Sequence, residues 1–161
     1  MHTTKPITTD DKAIFYAELT QQAQGLLHGE HDFIANAANF AALLYNAMPA
    51  VNWVGFYLLK DNELVVGPFQ GQPACVRLAL GKGVCGTAAV ERRTQLVADV
   101  NQFAGHIACD AASQSEIVVP LIINDELIGV LDIDSPQTDR FDEEDKVGIE
   151  KLAEVFILSL G

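Results

Sequence analysis

The sequence predicts an α+β domain with a central antiparallel sheet of five to six strands. Apolar residues recur at helical spacing near both ends of the chain. Between those ends the period drops to two, in short runs separated by turn residues. One pair of runs, residues 116–123 and 126–134, is joined by a tight Asn124-Asp125 turn, which is a hairpin signal. Helices kept to the ends of a strand-rich middle belong to α+β rather than to alternating α/β folds.

Residues 1–8 read as a loose arm. Over residues 9–27, Phe15, Leu19, Ala23, Leu26 and Leu27 repeat at helical spacing, and Gly29 ends the run. A second helix carries Phe33, Ala37, Phe40, Leu44 and Met48 on one face and stops at Pro49. Residues 51–60 then alternate as a strand, Asp61-Asn62 turns the chain, and residues 63–66 form the partner strand. Residues 84–91 make a short helix and 95–99 a short strand. Residues 100–115 read as loop, followed by the hairpin. Asp142 caps a last helix with Ile149, Leu152, Ala153, Phe156 and Leu160 on its buried face. No repeat and no linker interrupts the 161 residues, so one domain spanning 1–161 is expected.

The totals narrow the function. Hydrophobic residues make up 49% of the chain, which is globular composition. No apolar run reaches about 18 residues, so no membrane span is expected. A secretory h-region is missing from the first residues, and three cysteines do not make a disulfide framework. A cytoplasmic protein is expected, with thiols that are catalytic, redox-active or simply buried. The formal net charge of −12 disfavours nucleic acid and anionic membrane as partners.

Strand parity divides the side chains. Val54, Phe56 and Leu58 share one face of the first strand; Trp53, Gly55 and Tyr57 share the other. Ile117, Val119 and Leu121 oppose Glu116, Val118 and Pro120, and Leu131 and Ile133 oppose Asp132 and Asp134. Each strand has an aliphatic face suited to the terminal helices. If the strands are neighbours in register, the other face gathers Trp53, Tyr57, Glu116, Asp132 and Asp134. That face is either wet or a small polar pocket. Two Asp at i and i+2 in the apolar run 129–135 favour the pocket, because Asp is a poor strand former unless partnered or used.

Gly and Pro are dense between Gly67 and Gly86, a stretch that holds Cys75 and Cys85. Neither a regular helix nor a long strand is expected there. Cys109 lies in a second irregular stretch, residues 105–113. His106 and the three thiols contain four metal-type donors, but their spacing is not that of a zinc site. Cys85, at a helix start, also fits as a buried apolar residue.

These segments resemble the free methionine-(R)-sulfoxide reductases. The resemblance lies in Gly-Pro-Phe-Gln-Gly-Gln-Pro-Ala-Cys75, Gly81-Lys-Gly-Val-Cys85-Gly-Thr, the run from Val97 through Cys109 to Glu116, and Gly129-Val-Leu-Asp-Ile-Asp-Ser-Pro. It covers about residues 53–141. It implies a GAF fold with the terminal helices on one sheet face and active-site loops on the other. It implies thioredoxin-dependent reduction of free L-methionine-(R)-S-oxide, with no cofactor and no metal. By the same resemblance Cys109 is the nucleophile, Cys75 its disulfide partner and Cys85 an accessory thiol. Glu116, Asp132 and Asp134 supply the proton and can also take the substrate ammonium, Trp53 holds the S-methyl group, Tyr57 borders the substrate backbone, and backbone around Ile107, Ala108 and Cys109 meets its carboxylate. A homodimer is left open by the sequence. Two rivals stand beside this reading: a non-catalytic GAF-type binding module for a small ligand, and a metal-binding protein.

Overall fold

Asp11 sets the start of the first helix. Its carboxylate accepts the Ile14 N–H at 3.1 Å, and the computed structural model, which describes residues 2–161, begins α1 one residue later, at Lys12–Leu27. Asp32 caps α2, Phe33–Ala47, in the same way. Strands β1, Trp53–Lys60, and β2, Glu63–Gly71, are joined by Asp61 and Asn62, both at positive φ, as a two-residue primed turn requires. Asn124 and Asp125 repeat that geometry between β5, Ser115–Ile123, and β6, Glu126–Ser135. Between the two hairpins lie β3, Arg77–Ala79, α3, Gly83–Glu91, and β4, Gln95–Val97; α4, Glu143–Ser159, closes the chain.

The six strands form one antiparallel sheet in the order β3-β2-β1-β6-β5-β4. One face carries Val54, Phe56, Ile117, Val119, Leu121, Leu131 and Ile133 and packs on α2 and α4, with α1 against those two helices. Phe40, Phe56 and Phe156 meet there with centroids 4.7 to 6.0 Å apart. The opposite face carries Trp53, Tyr57, Val118 and Val130 under α3 and the loops. The strand parity read from the sequence is therefore the division between the two layers.

The structure corrects four expectations. The arm is not loose over its described residues 2–8: Lys5 exchanges two hydrogen bonds with Gln22, and Ile7 packs on the core. The Gly/Pro-dense stretch does contain long strand, because β2 runs to Gly71. Pro68 is tolerated since β3 pairs only Glu63–Val65, and Pro68 falls where the β1–β2 register shifts between Gly55 and Tyr57. Strand β3 escapes the sequence pattern because three residues are too few to show a period. The loop assigned to 100–115 opens with a short 3-10 turn, Val100–Gln102, and ends one residue earlier, since Ser115 belongs to β5.

Candidate active site

The second face of the sheet builds a cavity from adjacent strands. In β1, Trp53 pairs with Asp134 and Gly55 with Asp132; in β5, Glu116 pairs with Asp134. The three carboxyl groups thus converge beneath α3, with Glu116 and Asp132 only 7% and 5% exposed. Cys85 Sγ joins them, its sulfur and one oxygen each of Glu116 and Asp132 lying within 4.8 Å of one another.

Burial lifts all three carboxyls well above the ordinary carboxylate range, and each is lifted further by a neighbour's charge: Asp132 acts on Glu116, Asp134 on Asp132 and Glu116 on Asp134. The group therefore retains protons where an exposed Asp or Glu would lose them. Burial, then the Asp132 charge, pushes the Cys85 thiol up as well, so this thiol is held neutral. One oxygen of Asp132 is buried without a partner among the described residues.

The aromatic side chains form a wall. Trp53 stacks between Tyr57 and Phe69, at 5.9 and 5.1 Å between centroids. Gly55 makes this wall possible, because a Cβ there would lie 2.3 Å from the Phe69 Cβ and 2.7 Å from the Trp53 ring. The polar tips hold the segment above: Trp53 Nε1 donates to the Gln72 carbonyl at 3.1 Å, and the Tyr57 hydroxyl donates to the Cys75 carbonyl at 2.9 Å. Cys75 is joined to Cys109 by a disulfide, with Cα atoms 5.3 Å apart. The two irregular stretches picked out in the sequence are thus one covalent roof.

The roof leaves a cavity of about 50 Å³, lined by Trp53, Tyr57, Cys85, Glu116, Asp132 and Asp134 below and by Ala74, Ile107 and Cys109 above. His106, whose imidazole pKa is lowered by burial, and Lys82 also border it. Ala108 does not line it and is exposed. The Cys109 N–H is already bonded to the Ile107 carbonyl at 3.1 Å. Three residues at the site, Phe69 behind Trp53 and the lining Asp110 and Ser113, had no sequence signal of their own. Phe69 could have been found only from its register with Gly55. Asp110 and Ser113 are held by Asn52, whose Nδ2 donates to Asp110 Oδ2 at 3.3 Å and to Ser113 Oγ at 3.2 Å. Gly83 and Val84 start α3 and line the cavity, and the N-cap Lys82 gives the first turn no side-chain cap. The four-donor metal set of His106 and three thiols does not form, because Cys75 and Cys109 are spent on their own bond.

A GAF-domain family model matches residues 34–156. The free methionine-R-sulfoxide reductase of Escherichia coli K12 is 53% identical over 142 residues, 88% of this chain and 86% of that relative. The chain belongs to the free methionine-R-sulfoxide reductase family. Its fold agrees with solved structures of this family determined with substrate. That of Neisseria meningitidis is 42% identical with a TM-score of 0.94, over 99% of this chain and 96% of that one. That of Staphylococcus aureus is 54% identical with a TM-score of 0.88, over 98% and 100%. A free methionine-R-sulfoxide reductase must bring a thiol to a sulfoxide and a proton to its oxygen, and the cavity holds both kinds of group.

Proposed function

We infer that this protein reduces free L-methionine-(R)-S-oxide to L-methionine, and that Cys109 is the nucleophile. The observation that carries the reading is the Cys109 sulfur on the wall of a cavity floored by three proton-retaining carboxyls. In the reduced protein the Cys109 thiolate attacks the sulfoxide sulfur. The leaving oxygen takes a proton from the Glu116–Asp132–Asp134 group, which holds one because it is buried and crowded. Methionine departs and Cys109 is left as a sulfenic acid. The Cys75 thiol attacks that sulfur, water leaves, and the Cys75–Cys109 disulfide forms. A dithiol protein of the thioredoxin type returns both thiols, in keeping with a cytoplasmic, reducing location.

Recognition follows from the same walls. Trp53 takes the S-methyl group and Tyr57 borders the backbone of the amino acid. Carboxylate oxygens not holding a proton receive the ammonium. The substrate carboxylate meets backbone N–H groups at Ile107, Ala108 and Cys109 once that turn relaxes, with the start of α3 as a further donor set. The disulfide-closed cavity, at about 50 Å³, admits waters but not an amino acid. Substrate therefore binds the reduced form, with the Cys75 segment displaced.

The test is reduction of racemic free methionine sulfoxide with thioredoxin, followed by chiral analysis of what remains. Loss of the R epimer alone, with an internal methionine sulfoxide in a peptide left untouched, is the expected result. Equal turnover of the peptide would overturn it.

A further inference from the structure

The chain is acidic, with 22 Asp and Glu residues, yet none lies between Leu64 and Val90, where the charged residues are Arg77 and Lys82. That stretch carries Cys75 and is covalently tied to the Cys109 loop. Large apolar side chains are exposed on both sides of the disulfide. Val76, next to Cys75, is 60% exposed; Ile107, two residues before Cys109, is 39% exposed. Ile107 rests against the start of α3, where a Cβ on Gly83 would lie 3.3 Å from its side chain. Asp110, the nearest acid in sequence to Cys109, is occupied by Asn52 and the Ala112 N–H. Arg77, beside Val76, is paired with Glu63 at the edge of this stretch. A redox-active bond is thus flanked by exposed apolar side chains on a molecule of net charge −12.

The two sulfurs are not equivalent. Cys109 lines the cavity and Cys75 does not. Displacement at a disulfide sulfur is in line: the attacking thiolate arrives opposite the sulfur that leaves. Attack on Cys109 would bring the reductant in on the cavity side, where about 50 Å³ is available. Attack on Cys75 needs no entry into the cavity, which Cys75 does not line.

Resting on the reductase reading above, we propose that the patch around Val76 and Ile107 is the docking surface for a dithiol protein reductant, which attacks Cys75 Sγ. The reductant's first thiolate bonds to Cys75 Sγ, the Cys75–Cys109 bond breaks, and Cys109 leaves as a thiolate ready for the next sulfoxide. The reductant's second thiol then attacks its own sulfur in the mixed disulfide. Cys75 is released reduced and the reductant is oxidised to its disulfide. Apolar contact beside the disulfide fixes the approach.

The experiment has three arms. Methionine formed in one turnover by pre-reduced wild type is measured first; its absence would overturn the reductase reading and the docking surface with it. Val76→Ser and Val76→Glu are then assayed with thioredoxin and, separately, with dithiothreitol. The expected result is a KM for thioredoxin raised about tenfold or more, with single-turnover yield and dithiothreitol-driven rate within about twofold of wild type. An unchanged thioredoxin KM, or an equal loss with dithiothreitol, would overturn the docking surface alone. Finally, a thioredoxin lacking its second active-site cysteine is mixed with oxidised protein and the trapped adduct is mapped. Attachment at Cys75 is expected; attachment at Cys109 would overturn the assigned direction of attack.

Discussion

Three thiols share one small volume but not one environment. Cys109 is on the cavity wall, Cys75 is in the roof above it, and Cys85 is buried against Asp132. Cys109→Ser should abolish methionine formation even in a single turnover. Cys75→Ser should still yield up to one equivalent, leaving a sulfenic acid on Cys109, but recycle poorly; Cys85→Ser should be the mildest. Quenched single-turnover assays with a sulfenic-acid probe check this, and methionine from Cys109→Ser would refute it. The carboxyls make a second residue-level prediction. Removing a proposed proton donor, by Glu116→Gln or Asp134→Asn, should slow the reaction by about 10²-fold; near wild-type turnover in both would exclude them. Their raised pKa values also bear on stability. Each binds its proton more tightly folded than unfolded, so its contribution is fully present below about pH 4, the unfolded carboxylate value, and is lost as pH rises through the folded pKa. Asp132→Asn should therefore raise the melting temperature more at pH 8 than at pH 5. Equal shifts at both would show that Asp132 is not held protonated.

At the scale of elements, α1 is tied to α4 by one buried polar cluster that periodicity could not reveal. Asp145, 1% exposed at the start of α4, accepts hydrogen bonds from Tyr16 at 2.6 Å, Lys12 at 2.7 Å and Arg140 at 3.3 Å. It also closes a capping box with Asp142. Tyr16, next to the apolar position Phe15, is buried with its hydroxyl on this partner. Asp145→Ala strands the Arg140 guanidinium, whose side chain is 11% exposed, and should cost about 3–5 kcal/mol. Asp142→Ala, at a half-exposed cap, should cost about 1 kcal/mol. Urea unfolding at neutral pH separates the two, and equal costs would refute the anchoring role.

At the scale of the molecule, the disulfide joins two segments separated by 34 residues. Closing a loop of that size restricts the unfolded chain and stabilises the fold by about 4 kcal/mol. The oxidised protein should therefore melt higher than the reduced one, and Cys75→Ser should melt alike under both conditions. A reduced wild type as stable as the oxidised form would mean that the native state is strained by the bond. The roof also ties redox state to access, because the Trp53 and Tyr57 side chains proposed to hold substrate hold the Cys75 segment in the oxidised form.

Much of this was legible in the chain. Asp11, Asp32 and Asp142 mark helix starts because a carboxylate at the cap satisfies N–H groups that are local by definition. The period of two in residues 53–58 and 129–134 separates aliphatic from functional faces, because the pleat sends successive side chains to opposite sides whatever the strand pairs with. The carboxyl face could be listed from that parity alone. The two hairpins were legible from their turns, but not how they meet: that Trp53 stands opposite Asp134 depends on β1 and β6 pairing across about half of the chain. Burial of the carboxyls, and so their protonation, follows from α3 and the loops lying over them. That is a property of packing, to which no single residue testifies. Asn52, Phe69 and Asp145 show the same limit. Each acts through a partner distant in sequence, and local chemistry carries no record of the partner until the chain has folded.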